Sequence, residues 1–85
     1  MNGYKIDIEK KAEKFIRKQP KNQQERLIKA IYKLPYEGDI ASVEGRKGYL
    51  RLKIGGYRVI FTVNNGAYIV KVIDADNRGQ IYKRY

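Results

Sequence analysis

Residues 50–61 read LRLKIGGYRVIF, an apolar stretch that carries Arg51, Lys53 and Arg58 without a single acidic residue. Gly55-Gly56 interrupts it, and a Gly-Gly pair supplies the positive φ angles that a two-residue hairpin turn requires. Folding the stretch there sets Ile54 opposite Tyr57, Leu52 opposite Val59 and Leu50 opposite Phe61, so that one face of the hairpin is wholly apolar. The other face pairs Lys53 with Arg58, Arg51 with Ile60 and Tyr49 with Thr62. Like charges placed directly opposite one another destabilise a strand pair. The Lys53–Arg58 pairing therefore asks for a reason beyond folding, and a phosphate-binding surface provides one: guanidinium groups give fixed, forked donors and lysine a mobile charge. A solvated sheet face that is merely basic is the plainer reading.

Downstream, Ala67 to Asp74 reads as a third strand behind an Asn65-Gly66 turn, which would set Tyr68, Val70 and Val72 opposite Val63, Phe61 and Val59 and extend the same apolar face. A short strand over Gln80 to Lys83 would close the sheet. Upstream, Tyr4 to Glu9 alternates apolar with polar residues at the period of a half-buried strand. From Lys10 the period becomes helical, with Ala12, Phe15 and Ile16 on one side, until Gln19-Pro20, where proline disfavours helix in the preceding residue. A second helix carries Leu27, Ala30, Ile31 and Leu34 and ends at Pro35. Residues 36–48 are polar, glycine-rich and without clear period, which reads as a surface connection. The expected fold is α+β: an N-terminal strand, a helical hairpin and an antiparallel meander. Two helices would pack on one face of a four- to five-stranded sheet, in a single domain spanning residues 1–85.

Nineteen Lys and Arg against nine Asp and Glu give 85 residues a formal charge of +10, which favours anionic partners such as nucleic acid or an acidic protein. Cysteine and histidine are both absent, so no disulfide framework, thiolate metal site or histidine acid/base pair is available, and neither a metal nor a cofactor is expected. No apolar run approaches the roughly 20 residues of a membrane span, and residues 1–10 lack the apolar core of a signal peptide. The expected setting is the cytoplasm, with no membrane partner.

Two blocks, YLRLKIGGYRVIFTV at 49–63 and IDADNRGQIYKR at 73–84, resemble in order and spacing the conserved blocks of the RelE/ParE superfamily of toxins from bacterial type II toxin–antitoxin systems. The resemblance covers nearly the whole chain. RelE-type members are endonucleases that cut mRNA in the ribosomal A site, whereas ParE-type members inhibit DNA gyrase; both are neutralised by an antitoxin whose C-terminal segment wraps the toxin. The resemblance implies a cognate antitoxin as partner, with the ribosome and mRNA, or alternatively gyrase, as target. It also implies that Arg51 and Lys53 match the basic pair of the family's second strand and Arg58 the arginine that follows its glycine-anchored tyrosine. Arg78 and Tyr82 match the closing Arg and Tyr. Asn77 departs from the pattern, because many members carry a histidine there as general acid or base.

Metal-independent RNA cleavage by a neighbouring 2′-OH needs a base, a stabiliser of phosphorane charge and a donor for the leaving 5′ oxygen. Arginine suits charge stabilisation. A lysine can serve as base when neighbouring cations and loss of solvent weaken its hold on the proton, which makes Lys53, opposite Arg58 and beside Arg51, the first candidate. Tyr82 is the second proton-transfer candidate and also a platform for a base; as a plain strand aromatic it would need no function. Asp74 and Asp76 could orient the arginines or simply form a turn. Tyr49 faces outward and Tyr57 inward, while Lys47 reads as solvated. A non-catalytic toxin or a plain RNA-binding module remains open from these residues.

Overall fold

The computed structural model describes residues 3–85. Strand β1 (Lys5–Ile8) leads into α1 (Lys10–Arg17) and α2 (Lys21–Ile31). Four strands follow, β2 (Asp39–Ser42), β3 (Leu50–Ile54), β4 (Tyr57–Asn64) and β5 (Ile69–Asn77), and then a one-turn helix α3 (Arg78–Ile81). The sheet order is β1-β5-β4-β3-β2. β1 lies parallel to β5, and the other neighbours are antiparallel. Two helices against a β-sheet, as the periodicities require, give the expected α+β class.

The helical hairpin forms because each helix has one apolar stripe to bury. Ala12 and Ile16 of α1 and Leu27 and Ile31 of α2 lie in the core, with Leu34, against Leu52, Val59, Phe61, Val70 and Val72 of the sheet. Gln24 closes the break between the helices by donating its side-chain amide to the carbonyls of Gln19 and Arg17 at 2.8 and 3.2 Å. The Gln19 amide in turn donates to the Phe15 carbonyl at the end of α1, which also accepts the Lys18 N–H.

The first hairpin has the expected register, Ile54 to Tyr57, Lys53 to Arg58, Leu52 to Val59 and Leu50 to Phe61. The second does not. Val63 pairs with Val70 and Asn64 with Ile69, leaving residues 65–68 as a four-residue turn. The Asn64 carboxamide accepts from the Ala67 N–H at 3.0 Å, and Tyr68 takes a left-handed φ of 55°, so the turn is built around Asn64 rather than around Asn65-Gly66. The shift is two residues, and the apolar face therefore survives it.

Two further expectations fail. Residues 36–48 are not all connection: Ile40, half-buried, pairs with Leu52, and Asp39–Ser42 adds a fifth strand along β3. The chain enters it through Gly38 at φ 131°, where a Cβ would meet Leu52 Cδ1 at 2.6 Å. Gln80–Lys83 is no strand, because β5 just before it already lies between β1 and β4. The chain instead crosses the open face of the sheet as α3 and buries Ile81 completely there.

Candidate functional site

A bulge in β5 decides which side chains share that open face. Phe61 pairs with Val72 but Ile60 with Asp74, so Ile73 is an extra residue and the alternation reverses after it. Ala75 joins the core beside Val59, while Asp74 and Asp76 turn to the face that carries the cations. Two rows then cross four strands. One runs Asp39, Lys53, Arg58, Asp76 and the next Ala41, Arg51, Ile60, Asp74. Each member of the unfavourable Lys53–Arg58 pair thus has a carboxylate on its other flank, which offsets the repulsion that the hairpin alone would suffer.

The cations differ in what they can still do. Arg58 is only 5% exposed, which corrects its expected place on an open surface. Its Nη1 donates to the carbonyls of Gly55 and Tyr57 at 2.8 and 2.9 Å, and its Nε donates to the Tyr82 hydroxyl at 3.3 Å. Burial under the C-terminal turn is feasible because these acceptors replace water around the guanidinium. The Arg51 side chain is 19% exposed, with Nη1 3.7 Å from Asp39. Lys53 is exposed, so the free chain does not supply the loss of solvent on which its choice as base rests. Arg78 is exposed at the Gly55-Gly56 end, where its backbone N–H donates to the Gly56 carbonyl at 2.9 Å.

Between β2, β3 and the C-terminal turn lies a cleft of about 350 Å³. Arg51 and Ile60 contribute to its lining from the sheet, Tyr82 and Tyr85 from the C-terminal turn, and Ser42 to Glu44 from the end of β2. A cation among phenol rings suits a nucleotide, whose base stacks while its phosphate takes the charge. Arg51 and Tyr82 line this cleft, Arg58 is buried behind it with Nε on the Tyr82 hydroxyl, and Lys53 and Arg78 are exposed beyond its lining.

Several contributors escape the sequence reading. Arg84 grips both aspartates, and Lys11 reaches Asp74 at 3.2 Å. Asp74 and Asp76 therefore hold Arg84, not the arginines of the hairpin. The Arg46 guanidinium lies over the rings of Tyr49 and Tyr85, at 5.6 and 5.1 Å from their centres, so the partner of Tyr49 is Tyr85 across the cleft mouth. Burial, and then the nearby Asp74 carboxylate, raises the pKa of the Tyr85 phenol. The one available signal was that alternation continued from Val70 and Val72 would send Asp74 into the core.

The family model for the ParE toxin of type II toxin–antitoxin systems, parDE, matches residues 6–82. The chain belongs to this toxin family, within the RelE/ParE superfamily. Among solved structures, a chain of the archaeal RelE–RelB complex from Pyrococcus horikoshii OT3 is 28% identical with a TM-score of 0.77, over 93% of this chain and 99% of that one. The isolated E. coli RelE toxin is 24% identical, with a TM-score of 0.71 over 95% and 93% of the two chains. The RelBE2 complex of Mycobacterium tuberculosis, at 16% identity and a TM-score of 0.76, covers 91% of the toxin and 100% of its own chain. The last two matches speak to the fold alone. No curated protein matches the chain.

Proposed function

We propose that this toxin is a ribosome-dependent mRNA endonuclease that cuts by attack of a 2′-OH on the adjacent phosphate. The observation that carries the reading is the cleft with Arg51 and Tyr82 in its lining and Arg58 Nε on the Tyr82 hydroxyl. The phenol oxygen accepts from Arg58, so its own proton is free for the leaving 5′ oxygen, and the Arg58 charge stabilises the phenolate that results. Arg51 faces the phosphorane charge. Lys53 takes the 2′-OH proton once the ribosome covers the exposed face, and Arg78 assists at the leaving side. The products are a 2′,3′-cyclic phosphate and a 5′-OH. Positioning of the codon by the ribosome supplies much of the barrier reduction that so open a site lacks.

An acidic antitoxin segment that folds on binding suits a chain of charge +10. The Pyrococcus horikoshii relative, solved together with RelB, supports such a partner. The second reading is a toxin that binds DNA gyrase and cuts no RNA. It is favoured by the ParE family model and by the exposure of Lys53, the residue proposed as base. Primer extension on a ribosome-bound message separates the two: a defined cut inside the A-site codon supports the nuclease. An intact message together with inhibited DNA supercoiling would overturn it in favour of gyrase.

A further inference from the structure

We propose that Arg84 is a positioning residue, which holds the C-terminal turn across the sheet so that Tyr82 and Tyr85 stand in the wall of the cleft. The inference rests on the nuclease reading only for its catalytic consequence. α3 has four residues, too few to hold itself by helix formation, and among its side chains only that of Ile81 is buried. Something else must fix the turn.

Arg84 does so through both arms of its guanidinium. Nε donates to Asp74 Oδ2 at 2.9 Å and Nη2 to Asp76 Oδ2 at 2.8 Å. Asp74 is 1% exposed and also takes Lys11 Nζ at 3.2 Å and the Ala75 N–H at 2.9 Å, so its charge is compensated only with these donors in place. From the other side Arg46 donates to the Arg84 carbonyl at 3.1 Å and covers the Tyr85 ring. A planar fork presents fixed donors to two separate carboxylates, whereas a lysine brings a compact charge without that geometry. Tyr82 and Tyr85 flank Arg84 in sequence, so the clamp sets both rings.

The test compares the full chain with Arg84→Gln, Arg84→Lys and Tyr85→Phe, using the difference between each protein and its Tyr85→Phe counterpart in ultraviolet titration to isolate the Tyr85 phenol. Release of the turn exposes Tyr85 and takes it from Asp74. Burial is the largest cause of its raised pKa and the Arg84 charge only a small opposing one, so in Arg84→Gln the phenol titrates lower, toward its ordinary value near 10. On ribosome-bound message kcat falls about 10- to 100-fold with little change in KM, and Arg84→Lys recovers part of both readouts. If Arg84→Gln unfolds, Arg84→Lys carries the same comparison. A Tyr85 titration unmoved in a folded Arg84 variant overturns the proposal. A parent that cuts no message removes the nuclease reading, and the titration alone then decides the positioning role.

Discussion

Arg58 Nε donates to the Tyr82 hydroxyl at 3.3 Å, joining a buried cation on β4 to a phenol that is 54% exposed. In this bond the Tyr82 hydroxyl accepts, which leaves its own proton to be donated in the proposed cleavage. Tyr82→Phe keeps the ring for stacking and removes the hydroxyl, which is both the proposed proton donor and the acceptor of Arg58 Nε. Loss of a general acid predicts cleavage falling about 10²- to 10⁴-fold, with stability lowered by about 1–3 kcal/mol because the Nε of the buried Arg58 loses its acceptor. Single-turnover cleavage beside urea denaturation reads both, and unaltered cleavage would remove Tyr82 from proton transfer.

Lys53 and Arg58 face each other in the ladder yet should differ in what truncation does to stability. Lys53→Ala removes an exposed side chain, so it should lose cleavage by a similar factor while unfolding within about 0.5 kcal/mol of the parent. Arg58→Ala strips donors from the carbonyls of Gly55 and Tyr57 and should cost roughly 1–3 kcal/mol as well. Activity of Arg58→Ala is therefore informative only below its shifted denaturation midpoint. Equal stability of the two variants would contradict the burial of Arg58.

The hairpin at Gly55-Gly56 was legible because turn chemistry and apolar alternation point to the same register, and Arg51, Lys53 and Arg58 come out on one face for that reason. What was not legible depends on single residues that break a pattern. Ile73 adds one position to β5 and thereby brings Asp74 and Asp76 to the cations, an event that strict alternation cannot foresee. Arg84 lies outside every periodic segment, and its role exists only because the bulge has presented two carboxylates to it. The strand Asp39–Ser42 was concealed by glycines on both sides of it.

Gly38 makes that hidden strand testable. At φ 131° a side chain is strained whatever the space, and here a Cβ would also meet Leu52, which is buried and therefore slow to give way. Gly38→Ala should destabilise the toxin by about 1–3 kcal/mol. It should also increase hydrogen exchange at the amides that pair β2 with β3. Wild-type stability would mean that β2 enters the sheet by another path.

Tyr85 supplies the pH dependence. Its phenol is held protonated in the folded chain, first by burial and then by the Asp74 carboxylate, with Lys11 and Arg84 opposing. In the unfolded chain it ionises near pH 10. Between that pH and the raised folded value the native state holds the proton more tightly, so stability falls as pH rises. The contribution is fully present below about pH 10 and lost as pH climbs through the folded pKa. Tyr85→Phe removes this part of the slope while keeping the ring under Arg46. Urea midpoints measured from pH 8 to pH 11 should therefore decline less steeply for Tyr85→Phe than for the parent, and parallel declines would show that the phenol is as solvated in the folded toxin as in the unfolded chain.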